Sequence, residues 1–193
     1  FEVVNNRIKK VQTDQGDFEA DEVVFAAGVW TEKLLKPLKI ALSIQAGKGY
    51  RINVEAPTGI TMPAILMESK VAVTPMQGFT RFSGTMEIAG INTRIRMNRV
   101  QAIAQASSQY YQGIAIAKED QEQAHCGLRP LSPDGLPFIG RHSSCSNLVL
   151  ATGHAMMGWS LGPGTGKLVS EIISGKKTSM DLIAFAPERK YGL

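Results

Sequence analysis

The residues best suited to chemistry lie between His125 and Gly175. Arg129 stands in Gly127-Leu128-Arg129-Pro130, where the following proline restricts its backbone. A guanidinium held that way suits a carboxylate gripped through two hydrogen bonds. Downstream, residues 147–152 form a compact apolar run that reads as a buried strand, followed by Gly153-His154. Gly158-Trp159-Ser160-Leu161-Gly162-Pro163-Gly164-Thr165-Gly166 reads as a glycine-rich turn, and residues 167–174 as a helix with Leu168 and Ile172 on one face. This plan of strand, turn and helix start lets backbone approach a ligand closely. It also aims the positive end of a helix at an anion or an electron-rich oxygen. His154 reads as a hydrogen-bonded structural histidine, and Asp134 in Pro-Asp-Gly as a turn residue. His125 and His142 have no metal-ligand spacing, and Lys167 is not set in a phosphate-binding loop. No triad or carboxylate pair is present, so no residue is assigned as a catalytic acid, base or nucleophile.

These chemical residues need a scaffold, and composition bounds it. The chain has 193 residues, 44% of them hydrophobic, and a net charge of +4 spread along its length. That describes a globular protein with no nucleic-acid footprint. Cys126 and Cys145 make no metal or redox pattern, and a reduced cytoplasmic setting is the expectation. No apolar run approaches the roughly 20 residues needed to span a bilayer, so only peripheral membrane association is expected. The chain opens at Phe1, directly in strand-like sequence, and is expected to be part of a longer protein.

The first 28 residues read as a β-meander, with turns at Asn5-Asn6 and at 14–16. Its last strand, 22–28, ends in the small residues Ala26-Ala27-Gly28, which permit close approach of a ligand or a helix. Thr31 is expected to cap a short helix that Pro37 stops. Gly47 and Gly49 predict a bulge or crossing in the strand that follows. Antiparallel strands are expected over 64–67, 71–75 and 79–87. In the last of these, Arg81, Ser83 and Thr85 alternate with Phe82, Gly84 and Met86, and Arg81 and Glu87 read as solvated or structural pairs. Asn98 with Gln101 predicts a capping box for a long helix whose stripe is Val100, Ile103, Ala104, Ser107 and Tyr110. In the tail, 180–185 is expected to pack and 187–193 to fray.

Four strings carry a family resemblance: Gly127-x-Arg129-Pro130; Pro133-Asp134-Gly135-x-Pro137-x-Ile139-Gly140; Ala151-Thr152-Gly153-His154; and Gly164-Thr165-Gly166-Lys167. Together they resemble the carboxy-terminal half of the FAD-dependent D-amino-acid oxidase/dehydrogenase superfamily, and residues 23–31 and 47–87 also fit. The resemblance implies an α+β fold. A mostly antiparallel sheet with a covering helix would form the substrate domain (41–140). Remnants of a Rossmann-like FAD-binding domain would lie at 1–40 and 141–193. It implies oxidation of a D-amino acid, or a related amine, by hydride transfer to FAD. Arg129 would hold the substrate carboxylate, with Tyr50 and Met156 at the substrate. Ala26, Ala27, Gly28 and Trp30, and the run Gly153, His154, Ala155, Met156, Met157, Gly158, Trp159 and Ser160, would face FAD.

Two departures stand out. Ala155 occupies a position where the family usually has glycine. The dinucleotide fingerprint Gly-x-Gly-x-x-Gly is absent, so this chain holds an incomplete FAD site and is expected to bind FAD weakly or not at all by itself. The missing FAD-binding half is the expected partner, with homodimerisation through the apolar surface left uncovered. Two alternatives stand beside the dehydrogenase-like reading: a glycine- or sarcosine-type amine oxidase, and a non-catalytic binding or assembly module.

Overall fold

A computed structural model describes residues 1–191, in two compact units. The first combines residues 1–46 with the segment from Arg129 onward; the second is Gly47–Leu128. The boundaries expected at 40/41 and 140/141 thus move to 46/47 and 128/129, and each falls inside a strand.

The first unit opens with a three-stranded antiparallel meander: β1 (Glu2–Val4), β2 (Arg7–Thr13) and β3 (Gly16–Phe18). Asn5 and Asn6 both have positive φ (49° and 56°), as a tight hairpin between twisted strands demands. β4 (Val23–Phe25) is shorter than expected, and a 3₁₀ turn at Gly28–Trp30 leads into α1 (Thr31–Leu35). Thr31 is not the cap. It is the first helical residue, and its buried hydroxyl turns inward to Thr152.

The second unit is built on a five-stranded sheet. Its strands are β5 (Gln45–Val54), β6 (Ala64–Leu66), β7 (Val71–Met76), β8 (Phe79–Ile88) and, after the helices α2 (Met97–Tyr110) and α3 (Lys118–Glu122), β9 (His125–Leu131). The order is β6-β7-β8-β5-β9. One face packs Ile52, Val71, Val73 and Phe82 against Val100, Ile103 and Ala104 of α2, the covering helix the stripe predicts. Tyr110, at the end of that stripe, is exposed and reaches Glu68. Asn98 lies inside the first turn and no side chain caps α2.

The expected irregularity in β5 is a bulge that belongs to β8. Lys48 pairs with Glu87 and Tyr50 with Gly84, so Thr85 and Met86 together oppose one residue. Thr85 takes φ 57° there, and the alternation slips by one. Glu87 is thereby turned into the core. It accepts from the Tyr50 hydroxyl (2.8 Å) and lies 3.3 Å from the buried Lys48 ammonium. Lys48 also donates to the Asn92 side chain and the Arg94 carbonyl. The bond from Tyr50, followed by those from Lys48 and the charge of Arg96, holds the Glu87 carboxyl below its usual range against the cost of burial.

The chain completes the first unit with β10 (Phe138–His142), β11 (Cys145–Thr152) and α4 (Gly158–Ile173). β10 and β11 form a hairpin, and β4 adds to β11 in parallel. Asn147, fully buried on β11, accepts from the amide of Ile8 and donates to its carbonyl, both at 2.9 Å, pinning β2 to β11. The tail does not fray as far as Tyr191. Arg189 forks onto Asp134, donates to the Leu136 and Pro137 carbonyls, and stacks on Phe138. Residues 192 and 193, the end of the segment expected to fray, lie outside the described residues.

Candidate functional site

Parallel strands deliver their carboxyl ends to one edge of a sheet, where α/β proteins bind ligands. β4 and β11 run in register as Val23–Leu148, Val24–Val149 and Phe25–Leu150. Ala26-Ala27-Gly28 and Thr152-Gly153-His154 therefore emerge side by side. A relay of hydroxyls ties them together: Thr31 donates to Thr152 (3.3 Å), and Thr152 donates to the Gly28 carbonyl (3.1 Å). Trp30 follows, half exposed.

After β11 the backbone turns sharply. Gly153 has φ 82°, and a β-carbon there would stand 2.9 Å from the Phe138 ring, so only glycine fits. Ala155 is also left-handed, at φ 49°. Alanine adopts that conformation at a cost. The Met157 amide closes the turn on the His154 carbonyl (2.9 Å).

α4 then begins at Gly158, nine residues before the expected start. Glycine and Pro163 argue for a turn on propensity alone, but packing overrides it. Thr165 and Leu168 are buried, and Thr165 Oγ1 lies 2.8 Å from His154 Nε2. His154 is thus the hydrogen-bonded hook the sequence predicts. Its ring borders a largely apolar cavity of about 310 Å³ with Met157, Leu161 and Leu168. Burial pushes its pKa below the ordinary 6.5, which favours the neutral ring. The N-terminus of α4 has neither a side-chain cap nor an acidic residue in its first turn, and its leading N–H groups face outward with the positive end of the helix. Met156, Met157 and Trp159 around it are exposed, Trp159 at 96%.

Arg129 is tethered to this loop. One residue along β9, the Pro130 carbonyl accepts from the Ala155 amide at 2.9 Å, and Leu131 bridges to His154. The Arg129 guanidinium is half-buried and forms no ion pair among the described residues. Burial alone lowers its pKa, although an arginine stays charged. Tyr50, expected at the substrate, is instead 1% exposed in the core of the second unit, with its hydroxyl committed to Glu87. The hydroxyl relay and the Pro130–Ala155 tether escape a sequence reading. The threonine beside Gly153 and the one after Trp30 are their only trace.

The profile of the DAO family, described as FAD dependent oxidoreductase, matches residues 1–172. The chain belongs to the DAO family of FAD-dependent oxidoreductases. It is similar to the D-amino acid dehydrogenase of Neisseria gonorrhoeae, with 36% identity over 178 residues, covering 90% of this chain and 42% of that protein. It is also similar to the D-amino acid dehydrogenase of Agrobacterium fabrum, with 35% identity over 187 residues, covering 93% and 43%. The chain therefore spans less than half the length of these curated relatives. Among solved structures, glycine oxidase from Geobacillus kaustophilus superimposes with a TM-score of 0.81 at 27% identity, covering 95% of this chain and 49% of that one. L-proline dehydrogenase from P. horikoshii shares the fold, with a TM-score of 0.84 at 20% identity, covering 97% and 51%. The α+β arrangement of this DAO-family chain is thus that of the DAO-fold flavoenzymes. No helix among the described residues is long and apolar enough to cross a membrane.

Proposed function

We propose that this chain provides the substrate clamp and one wall of the flavin site in an enzyme that oxidises a D-amino acid. The observation that carries the reading is Arg129, a half-buried cation with no anionic partner among the described residues, tethered to the loop that opens the uncapped end of α4. An unpaired guanidinium in such a place is stabilised by a carboxylate from outside the chain, held through two parallel hydrogen bonds. The curated relatives' name, D-amino acid dehydrogenase, supplies the substrate class.

The residues present fit FAD. The strand ends at Ala26, Ala27 and Gly28, with Trp30, leave room for a close ligand, and the run Gly153–Ser160 leads into the uncapped, positive end of α4. FAD, when bound, supplies the two-electron acceptor for the substrate's α-carbon. Arg129 then fixes the substrate through its carboxylate, with Met156 beside it, and orientation is the main service required. The α4 N-terminus stabilises negative charge at its end without moving a proton. His154, favoured in its neutral form by burial and bonded to Thr165, positions the loop. Met157, Trp159 and Leu161, exposed beside this end, are the surface that would meet the FAD-binding half.

The test joins this chain to its FAD-binding half in the complete protein, under anaerobic conditions. D-Alanine or D-proline is expected to bleach the flavin spectrum. Arg129→Leu is expected to retain flavin yet lose that reduction. Reduction by glycine or sarcosine but by no D-amino acid would replace this reading with the amine-oxidase one. A complete protein that holds no flavin would overturn it and leave a binding module.

A further inference from the structure

After α4 the chain doubles back. Gly175 takes φ 65°, and the Ser179 amide donates to Glu171 Oε2 at 2.8 Å. A 3₁₀ turn at Ile183–Phe185 follows, and Pro187 then packs on Gly140 of β10, where an added β-carbon would stand 3.1 Å from the proline ring. This return path gives the cavity beside His154 three walls. Leu161 and Leu168 come from α4, Leu136 and Ile139 from the segment that enters β10, and Met180 and Phe185 from the tail. Arg189 belongs to the tail and donates to the Leu136 and Pro137 carbonyls at 2.8 and 3.1 Å, so it fixes two of these walls against each other. The cavity is thereby pre-formed, as small-molecule sites usually are.

The lining selects the ligand. Among the described residues, no carboxylate, ammonium or guanidinium borders the cavity. A charged ligand would shed its water there without gaining a partner. The polar feature of the wall is the pair of His154 and Thr165. The Thr165 hydroxyl can both donate and accept, and its 2.8 Å bond to His154 Nε2 uses one of these functions. Buried as it is, that hydroxyl is able to meet one polar group from a ligand. Size sets the rest. Apolar cavities of about 150 Å³ admit a benzene ring, so a cavity of about 310 Å³ has room for two fused rings.

Gly164 keeps that room open. Glycine weakens a helix interior, yet α4 carries it on the cavity wall. An added β-carbon at 164 would meet no atom within 4 Å. Packing therefore does not demand glycine, and a larger side chain there would occupy the cavity.

We propose that this cavity, between α4, the entry to β10 and the tail, binds an uncharged, flat molecule of the indole or phenol class. Its rings would lie among Leu136, Leu161, Leu168 and Phe185, and its polar group would meet the Thr165 hydroxyl. Arg129 is not among the lining residues, so this site does not depend on the amino-acid clamp.

The test uses the complete protein, this chain with its FAD-binding half, under anaerobic conditions and with 5-fluoroindole observed by fluorine resonance. Saturable binding of one equivalent is expected. 4-Fluorobenzoate is expected to bind at least ~10-fold more weakly, because its carboxylate finds no partner. Gly164→Leu fills the cavity from α4 and is expected to weaken 5-fluoroindole by at least ~10-fold. Its melting temperature should hold or rise, because leucine is the better helix former. Met180→Trp fills the cavity from the tail and is expected to weaken binding likewise. Saturating D-alanine should leave the probe bound, whether or not it reduces the flavin, so failure of the D-amino-acid reading would not mimic failure here. Four outcomes would overturn the proposal: no saturable binding, binding that survives both filling variants, benzoate as tight as indole, or displacement by D-alanine.

Discussion

The amide of Ala155 donates to the carbonyl oxygen of Pro130 at 2.9 Å, joining the strand that carries Arg129 to the loop that opens α4. Both ends of this bond are conformationally special. Pro130 restricts the backbone of Arg129, and Ala155 sits at φ 49°. Arg129 and the helix end are held together through main chain, which a side-chain substitution leaves in place.

Ala155 carries the cost of that geometry. A non-glycine residue in the left-handed region loses roughly 1–2 kcal/mol, and glycine gives back about 0.5–1 kcal/mol in the unfolded chain. Ala155→Gly is expected to leave stability unchanged or raise it by up to about 1 kcal/mol. Ala155→Val, with a β-branch in the same conformation, is expected to lower it by about 1–3 kcal/mol. Urea unfolding of the three proteins decides the matter, and a valine variant as stable as the parent would show that the loop is not constrained.

Arg129 tests function against structure. If its guanidinium were a structural partner, removing it would unfold the chain. Because it is half-buried without a partner among the described residues, Arg129→Leu is expected to change stability by no more than about 1 kcal/mol. A thermal melt beside the flavin-reduction assay separates the two roles. A large drop in melting temperature would assign Arg129 to the fold.

Asn147 is the opposite case. Its amide satisfies both backbone groups of Ile8 inside the core. Asn147→Leu would leave a buried N–H and C=O unpaired, at about 1–3 kcal/mol each, so a loss of about 2–5 kcal/mol is expected. A stable leucine variant would mean that β2 is attached to β11 by other contacts.

Asp134 predicts a pH dependence. The Arg189 fork holds its carboxyl down from 3.8 to about 2. A lowered pKa in the folded state means the pair stabilises the fold above pH 3.8, and that this contribution is lost as pH falls toward about 2. Asp134→Asn should flatten the stability profile across that interval. Denaturant midpoints measured every half unit would show the difference, and parallel profiles would refute the coupling.

Local pattern carried much of the fold. Alternation marked the strands around 64–87, and the stripe of Val100, Ile103 and Ala104 marked α2, because period and burial are written in adjacent residues. It failed at Thr85, where one extra residue reversed the inward face and put Glu87 in the core. A bulge is chosen by both strands of a pair, and one strand's sequence does not contain its partner's register.

The sequence by itself determined the family, the arginine before a proline, and the small residues at the ends of β4 and β11. Each of these depends on the residue and its near neighbours. Tertiary structure alone decided that Gly158–Gly166 is helix, that Tyr50 serves Glu87, and that Arg189 holds the tail. Each depends on groups far apart in the chain. In the helix, burial of Thr165 and Leu168 outweighs the local preference of glycine and proline for a turn.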